Sequence, residues 1–247
     1  MLREKHPPAQ PLAHDCLFMN EPRSSPLHPV VFDALSGSVI RSTALRTFGA
    51  PGPSGVDAKG WRRLCTSFHS ASDDLCEAMA LFVHQLCNEY LSPDILSSFL
   101  SCRFIALDKC PGVQLIGVCE VARRIIAKAA LSIIRDEIQE AASCRQLYAG
   151  QIAGVEAGVH VVRSSFLRDD NEDVLLVDAS NAFNSLNRKV ALHNIHQICP
   201  AFAPILINSY RSAAAALYIA GDMLLSEEAL LREIPSQCQC MPSPPCP

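Results

Sequence analysis

The stretch LLVDASNAFNSLNR, residues 175–188, holds the residue whose setting most resembles a chemical site. Val174 to Val177 are continuously apolar, as in a strand covered on both faces, and the run ends on a carboxylate, Asp178. A carboxylate there has three uses. It can cap the turn into the next helix, contact a ligand at the carboxyl end of a strand, or give oxygens to a divalent cation. This stretch alone leaves all three open. A second group is basic. From Leu96 to Lys128, Arg103, Lys109, Arg123, Arg124 and Lys128 outnumber Asp108 and Glu120. Such an excess either forms an ordinary solvated face or meets a phosphate backbone.

The whole chain bounds these readings. Its 247 residues suffice for one large or two small domains with a buried core. Apolar residues make up 49% and charged residues 19%, a globular composition. The net charge of −4 gives no bulk footprint for nucleic acid. None of the twelve cysteines forms a C-x-x-C pair, and Cys238, Cys240 and Cys246 lack zinc-finger spacing. Cys65, Cys76 and Cys87 recur every eleven residues and are expected in the core, on one helical stripe. The thiols read as reduced and the chain as intracellular, in the cytoplasm or nucleus. No apolar signal segment opens it, and no run reaches the roughly 18 apolar residues that span a membrane.

The elements that must position these groups follow from pattern. Residues 1–27, rich in Pro and His, are expected to be a flexible leader. Leu27 to Phe48 suggests a short amphipathic helix, and GAPGPSGVDAKGW (49–61) a turn-rich segment. Trp61 to Asn88 reads as helix, broken near Ser70 to Asp73. Phe104–Leu107 and Val113–Val118, flanking Asp108, Pro111 and Gly112, predict a β-hairpin. EVARRIIAKAALSIIRDEIQEAA (120–142) is the strongest helix, with Val121, Ile125, Ala129, Ile133 and Ile138 near one face. A strand is expected from Asp173 to Asp178. A helix capped by Ser185 or Asn187 then runs to about Cys199, and another covers Ile205 to Ala216. Ala216 to Leu225 reads as a hairpin turning at Gly221-Asp222.

The string DASNAF has the D-x-x-x-A-F spacing of the first catalytic motif of reverse transcriptases. The neighbouring segments arrive in that family's order. GPSGVDAKGWRRL resembles its opening segment, and CRFIALDKCPGVQLIGVCEVARRIIAKA its fingers hairpin and following helix. LLVDASNAFNSLNRKVALHNI resembles its palm strand and helix, and INSYRSAAAALYIAGDMLLSEE leads toward the next palm motif. From near His28, about four fifths of the chain thus resembles the reverse transcriptase-like reading frames of non-LTR retrotransposons.

The resemblance implies an α+β fold, the fingers and partial palm of a reverse transcriptase-like polymerase over 28–228, lacking the rest of the palm and the thumb. The implied activity is RNA-directed DNA synthesis by nucleotidyl transfer. Two magnesium ions about 3.5–4 Å apart would serve it, with an RNA template, a DNA primer and dNTPs as partners. Asp178 would bridge the ions and the Ala179 carbonyl would complete one shell. Phe183 would select deoxynucleotides by crowding a 2′-hydroxyl, unless it is simply a core ring. Lys109 and Arg103 would meet the triphosphate, unless they are a solvated turn lysine and a strand-edge arginine. Arg123, Arg124 and Lys128 would contact the template backbone. Otherwise the two arginines form ion pairs with Glu120 and nearby acids on the helix surface.

Two departures matter. The family's VRPIGV strand reads VQLIGV here, so Gln114 and Leu115 stand where Arg and Pro are expected, and a phosphate-binding fork is lost. After LLSEE the family continues with a string like GTTQGDPLAMPMYA, whereas this chain reads ALLREIPSQCQCMP, residues 229–242. One nucleotide string read in frames one base apart encodes both. A frameshift after Glu228 is therefore expected, with 229–247 an out-of-frame, disordered tail. The partner aspartates of the later palm turn are not found in the sequence. Asp73-Asp74 and Asp169-Asp170 look like solvated loop acids. The chain is thus expected to be inactive, or alternatively to be a non-catalytic nucleic-acid-binding remnant. Its uncovered palm surface is expected to favour self-association.

Overall fold

A computed structural model describes residues 10–11, 17, 29–108, 113–142, 153–168, 186–211, 215–219 and 222–226. A short 3-10 turn, Pro29–Ala34, leads into α1 (Gly37–Leu45). Asp57 starts α2 (Ala58–Thr66) as an N-cap, its Oδ1 accepting the Gly60 amide at 2.7 Å. The next helix, α3 (Ser70–Asn88), follows a break at His69, whose φ of 51° interrupts the helical path. The break thus falls just before the expected stretch. Pro93 at the first turn starts α4 (Pro93–Leu100).

The expected hairpin is present as β1 (Cys102–Asp108) and β2 (Val113–Cys119). They pair antiparallel from Cys102↔Cys119 to Asp108↔Val113. The long helix after it is divided at Ile134 into α5 (Val121–Ile133) and α6 (Arg135–Ala142). Then come α7 (Gly154–Phe166), α8 (Arg188–Ile198) and α9 (Ala203–Tyr210). Asn187 caps α8, its Oδ1 accepting the Val190 amide at 3.0 Å. The strands β3 (Ala215–Ile219) and β4 (Asp222–Ser226) form a second antiparallel hairpin.

Among the described residues the sheet order is β2-β1-β3-β4, and β1 and β3 run parallel through Cys102↔Leu217 and Arg103↔Tyr218. The last helix therefore ends earlier than its alanines suggest. Ala215 and Ala216 are strand residues, because pairing with Ser226 and Leu225 of β4 outweighs helix propensity. The second hairpin closes on Ile219↔Asp222, one residue before the expected turn.

The helices enclose a core that includes Ile40, Val83, Leu86, Leu96, Val121, Ile125 and Ala129. Each fully buried Val, Leu or Ile side chain there contributes roughly 1.5–3 kcal/mol. Cys65, Cys76 and Cys87 are buried as expected, but on two helices: Cys65 lies on α2 and the others on α3. A smaller cluster of Cys102, Phe104, Cys119, Leu206 and Tyr210 fixes the base of the first hairpin against α9. The architecture is mostly helical with a small sheet, of the α+β class. The expected leader apart from residues 10, 11 and 17, the 173–178 strand and the 229–247 tail lie outside the described residues.

Candidate functional site

The hairpin, the start of α5 and the GPSG loop form one assembly. Glu120, the residue between β2 and α5, accepts the Ser54 amide at 2.6 Å and the Ser54 hydroxyl at 2.7 Å. Gly52 lies so close that a Cβ there would sit 2.7 Å from the Glu120 backbone nitrogen. Only glycine permits this approach. One turn along α5, Arg124 donates to the carbonyls of Phe48, at 3.1 Å, and of Ala50. Gly49, at a φ of +117°, turns the chain between those two carbonyls.

Arg123 and Arg124 are therefore not where the sequence placed them. They are 3% and 6% exposed rather than on a solvated helix face. Arg123 turns toward the hairpin base. Its Nη1 donates to the Leu100 carbonyl at 3.2 Å and lies 3.6 Å from Cys119 Sγ and 3.8 Å from Cys102 Sγ. Its guanidinium sits 5.6 Å from the Tyr210 ring centroid, and that of Arg188 sits 5.8 Å from it. In this conformation neither α5 arginine faces solvent, and Glu120 pairs with Ser54 rather than with them. Lys128, further along α5, is half-buried.

Arg103 is half-buried on β1, its backbone paired to Val118 and Tyr218. Its Nε is buried with no hydrogen-bond partner among the described residues. Lys109, Asp178, Ala179 and Phe183 lie outside the described residues, as do Asp169 and Asp170. Asp73 and Asp74 belong to the first turns of α3 rather than to a loop. Asp73 is solvated as expected and makes an ion pair with Arg41.

Among the described residues, no group of three or more His, Cys, Asp and Glu side chains could hold a metal ion. The magnesium ligands implied by the resemblance are Asp178 and the Ala179 carbonyl. They suit the ion in kind, as hard oxygens, but fall short of a stable shell without further protein oxygens. None of the described helices is long and apolar enough to cross a membrane.

Sequence reading missed Asn208. Only 2% exposed on α9, it donates to the carbonyls of Leu86, at 2.9 Å, and Glu89, at 2.7 Å, and accepts the Leu91 amide at 3.0 Å. An Asn directly after the apolar run PILI was the available signal. No protein-family model matches the chain, and no curated protein matches it.

Proposed function

We propose that these residues derive from the fingers and first part of the palm of a non-LTR-type reverse transcriptase, an RNA-directed DNA polymerase. The observation that supports this best is the hairpin. CRFIALDKCPGVQLIGVC forms β1 and β2 in antiparallel register and feeds directly into α5, the order in which that family builds its nucleotide lid. The ordered resemblance of the GPSG, DASNAF and INSY segments supports the same reading. RNA template, DNA primer, dNTPs and magnesium are the ligands of this reading, and the cytoplasm or nucleus its setting.

These 247 residues by themselves are proposed to be catalytically inactive. Asp178 supplies one carboxylate, and a single carboxylate does not hold two divalent ions against solvent. Primer extension with the purified chain, magnesium and dNTPs tests this, and no incorporation is expected. Robust incorporation abolished by Asp178→Ala would overturn the inactivity while leaving the polymerase assignment in place. The alternative, a non-catalytic nucleic-acid-binding remnant, draws on Arg123, Arg124 and Lys128. The inward turn of the two arginines does not favour it.

Self-association belongs to the same proposal. Val155, Val159, Val162 and Phe166 follow one another along one face of α7 and are each more than half exposed.

A further inference from the structure

At the open end of the first hairpin, Cys102 and Cys119 are directly opposite each other, the terminal pair of the β1–β2 ladder. Their sulfurs are 3.0 Å apart and are not joined in a disulfide. Directly opposed residues of an antiparallel pair have Cα atoms about 4.5–5.5 Å apart, within the span a disulfide bridges without backbone movement. Besides lying this close to each other, the two sulfurs share a cation. Arg123 Nη1 lies within 3.8 Å of both, and a guanidinium so placed offsets part of what burial costs a thiolate on either sulfur. The Leu100 carbonyl and the Tyr210 ring hold that guanidinium in place.

We infer that Cys102 and Cys119 are a dithiol modification site that a small hydroperoxide converts to a disulfide. One sulfur, as thiolate, attacks a peroxide oxygen. The O–O bond breaks, hydroxide leaves and takes up a proton to become water, and a sulfenic acid remains. The second sulfur, having lost its proton, attacks the first. The S–O bond breaks, and the departing hydroxide takes up that proton as a second water. Two thiols and one hydrogen peroxide thus give one disulfide and two waters. The two sulfurs lose two electrons between them, and the two peroxide oxygens gain them.

Both thiols are buried, so the oxidant must be small and must enter by local opening. The bond formed would tie the base of the hairpin shut immediately before α5. This site is independent of the polymerase assignment and stands or fails on its own.

The test is differential alkylation of the full chain. The protein is exposed to hydrogen peroxide for increasing times and quenched with N-ethylmaleimide. Peptide mass spectrometry then follows each cysteine. A peptide pair linked through Cys102 and Cys119, lighter by two hydrogens, is expected to accumulate at least tenfold faster than oxidation of Cys87. In concentrated urea that preference is expected to disappear, because it comes from the fold and from Arg123. In the Cys102→Ser chain, Cys119 is expected to stop at a sulfenic acid that dimedone captures. The inference is overturned if native protein leaves both thiols open to alkylation after Cys87 has reacted. It is equally overturned if the preference persists unchanged in urea.

Discussion

Glu120 holds Ser54 by both its amide and its hydroxyl, across 66 residues of sequence. This pair fastens the GPSG loop to the start of α5. Glu120→Gln keeps the shape but weakens two charge-assisted hydrogen bonds, at a cost of about 1 kcal/mol at this exposed position. Urea unfolding should show a lower midpoint at unchanged slope. Ser54→Ala should add little once Glu120 is changed, because both substitutions remove the same contacts.

Arg124 completes that latch by serving two backbone carbonyls with one fork. Arg124→Ala should cost about 2 kcal/mol, since Phe48 and Ala50 then lose their donor. Arg124→Lys keeps the charge but has no fork, so it should recover only part of the loss. If both variants retained full stability, the loop would not depend on this arginine.

Asn208 bonds to the end of α3 and the segment after it at three points. Asn208→Ala leaves two carbonyls and one amide without their partner and should destabilise by about 2–4 kcal/mol. Asn208→Asp should be no better, because an acceptor then faces the Leu86 and Glu89 carbonyls. Thermal melts of both variants check this.

Burial pushes the Cys87 thiol up to about 12, and it pushes Cys65 and Cys199 in the same direction. Below pH 9.0, the ordinary value, folded and unfolded chains both keep the Cys87 proton. Between there and about 12 only the unfolded chain releases it, so stability falls as pH rises through this window. Denaturation midpoints should decline over that range, and Cys87→Ala should flatten the decline. At neutral pH, alkylation of Cys87 should require unfolding.

The exposed valines of α7 give an expectation for self-association. Val159→Glu places a charge in the middle of the apolar face and should lower the average mass seen by light scattering. An unchanged mass would mean that another surface governs association.

The first hairpin was legible because its two apolar runs flank a Pro-Gly pair in the sequence, and the cap at Asn187 because short polar side chains favour that position. The core cysteines were legible from their spacing, although not their division between α2 and α3. The inward turn of Arg123 and Arg124 was not legible. Adjacent charges on a helix read as solvated, and what draws these inward is a set of backbone acceptors at 48, 50 and 100. Ala215 and Ala216 read as helix for a similar reason, since only the partner strand makes them β. Of the candidate site, Asp178, Ala179, Phe183 and Lys109 lie outside the described residues, so their role rests on the sequence motif.

The most direct measurement of the central claim is the nucleotide sequence of the locus downstream of the Glu228 codon. If the chain comes from a reverse transcriptase, the frame one base away should encode a string close to GTTQGDPLAMPMYA opposite residues 229–242. Further along, it should encode an aromatic-x-Asp-Asp turn. A locus in which neither neighbouring frame carries those motifs would contradict the assignment.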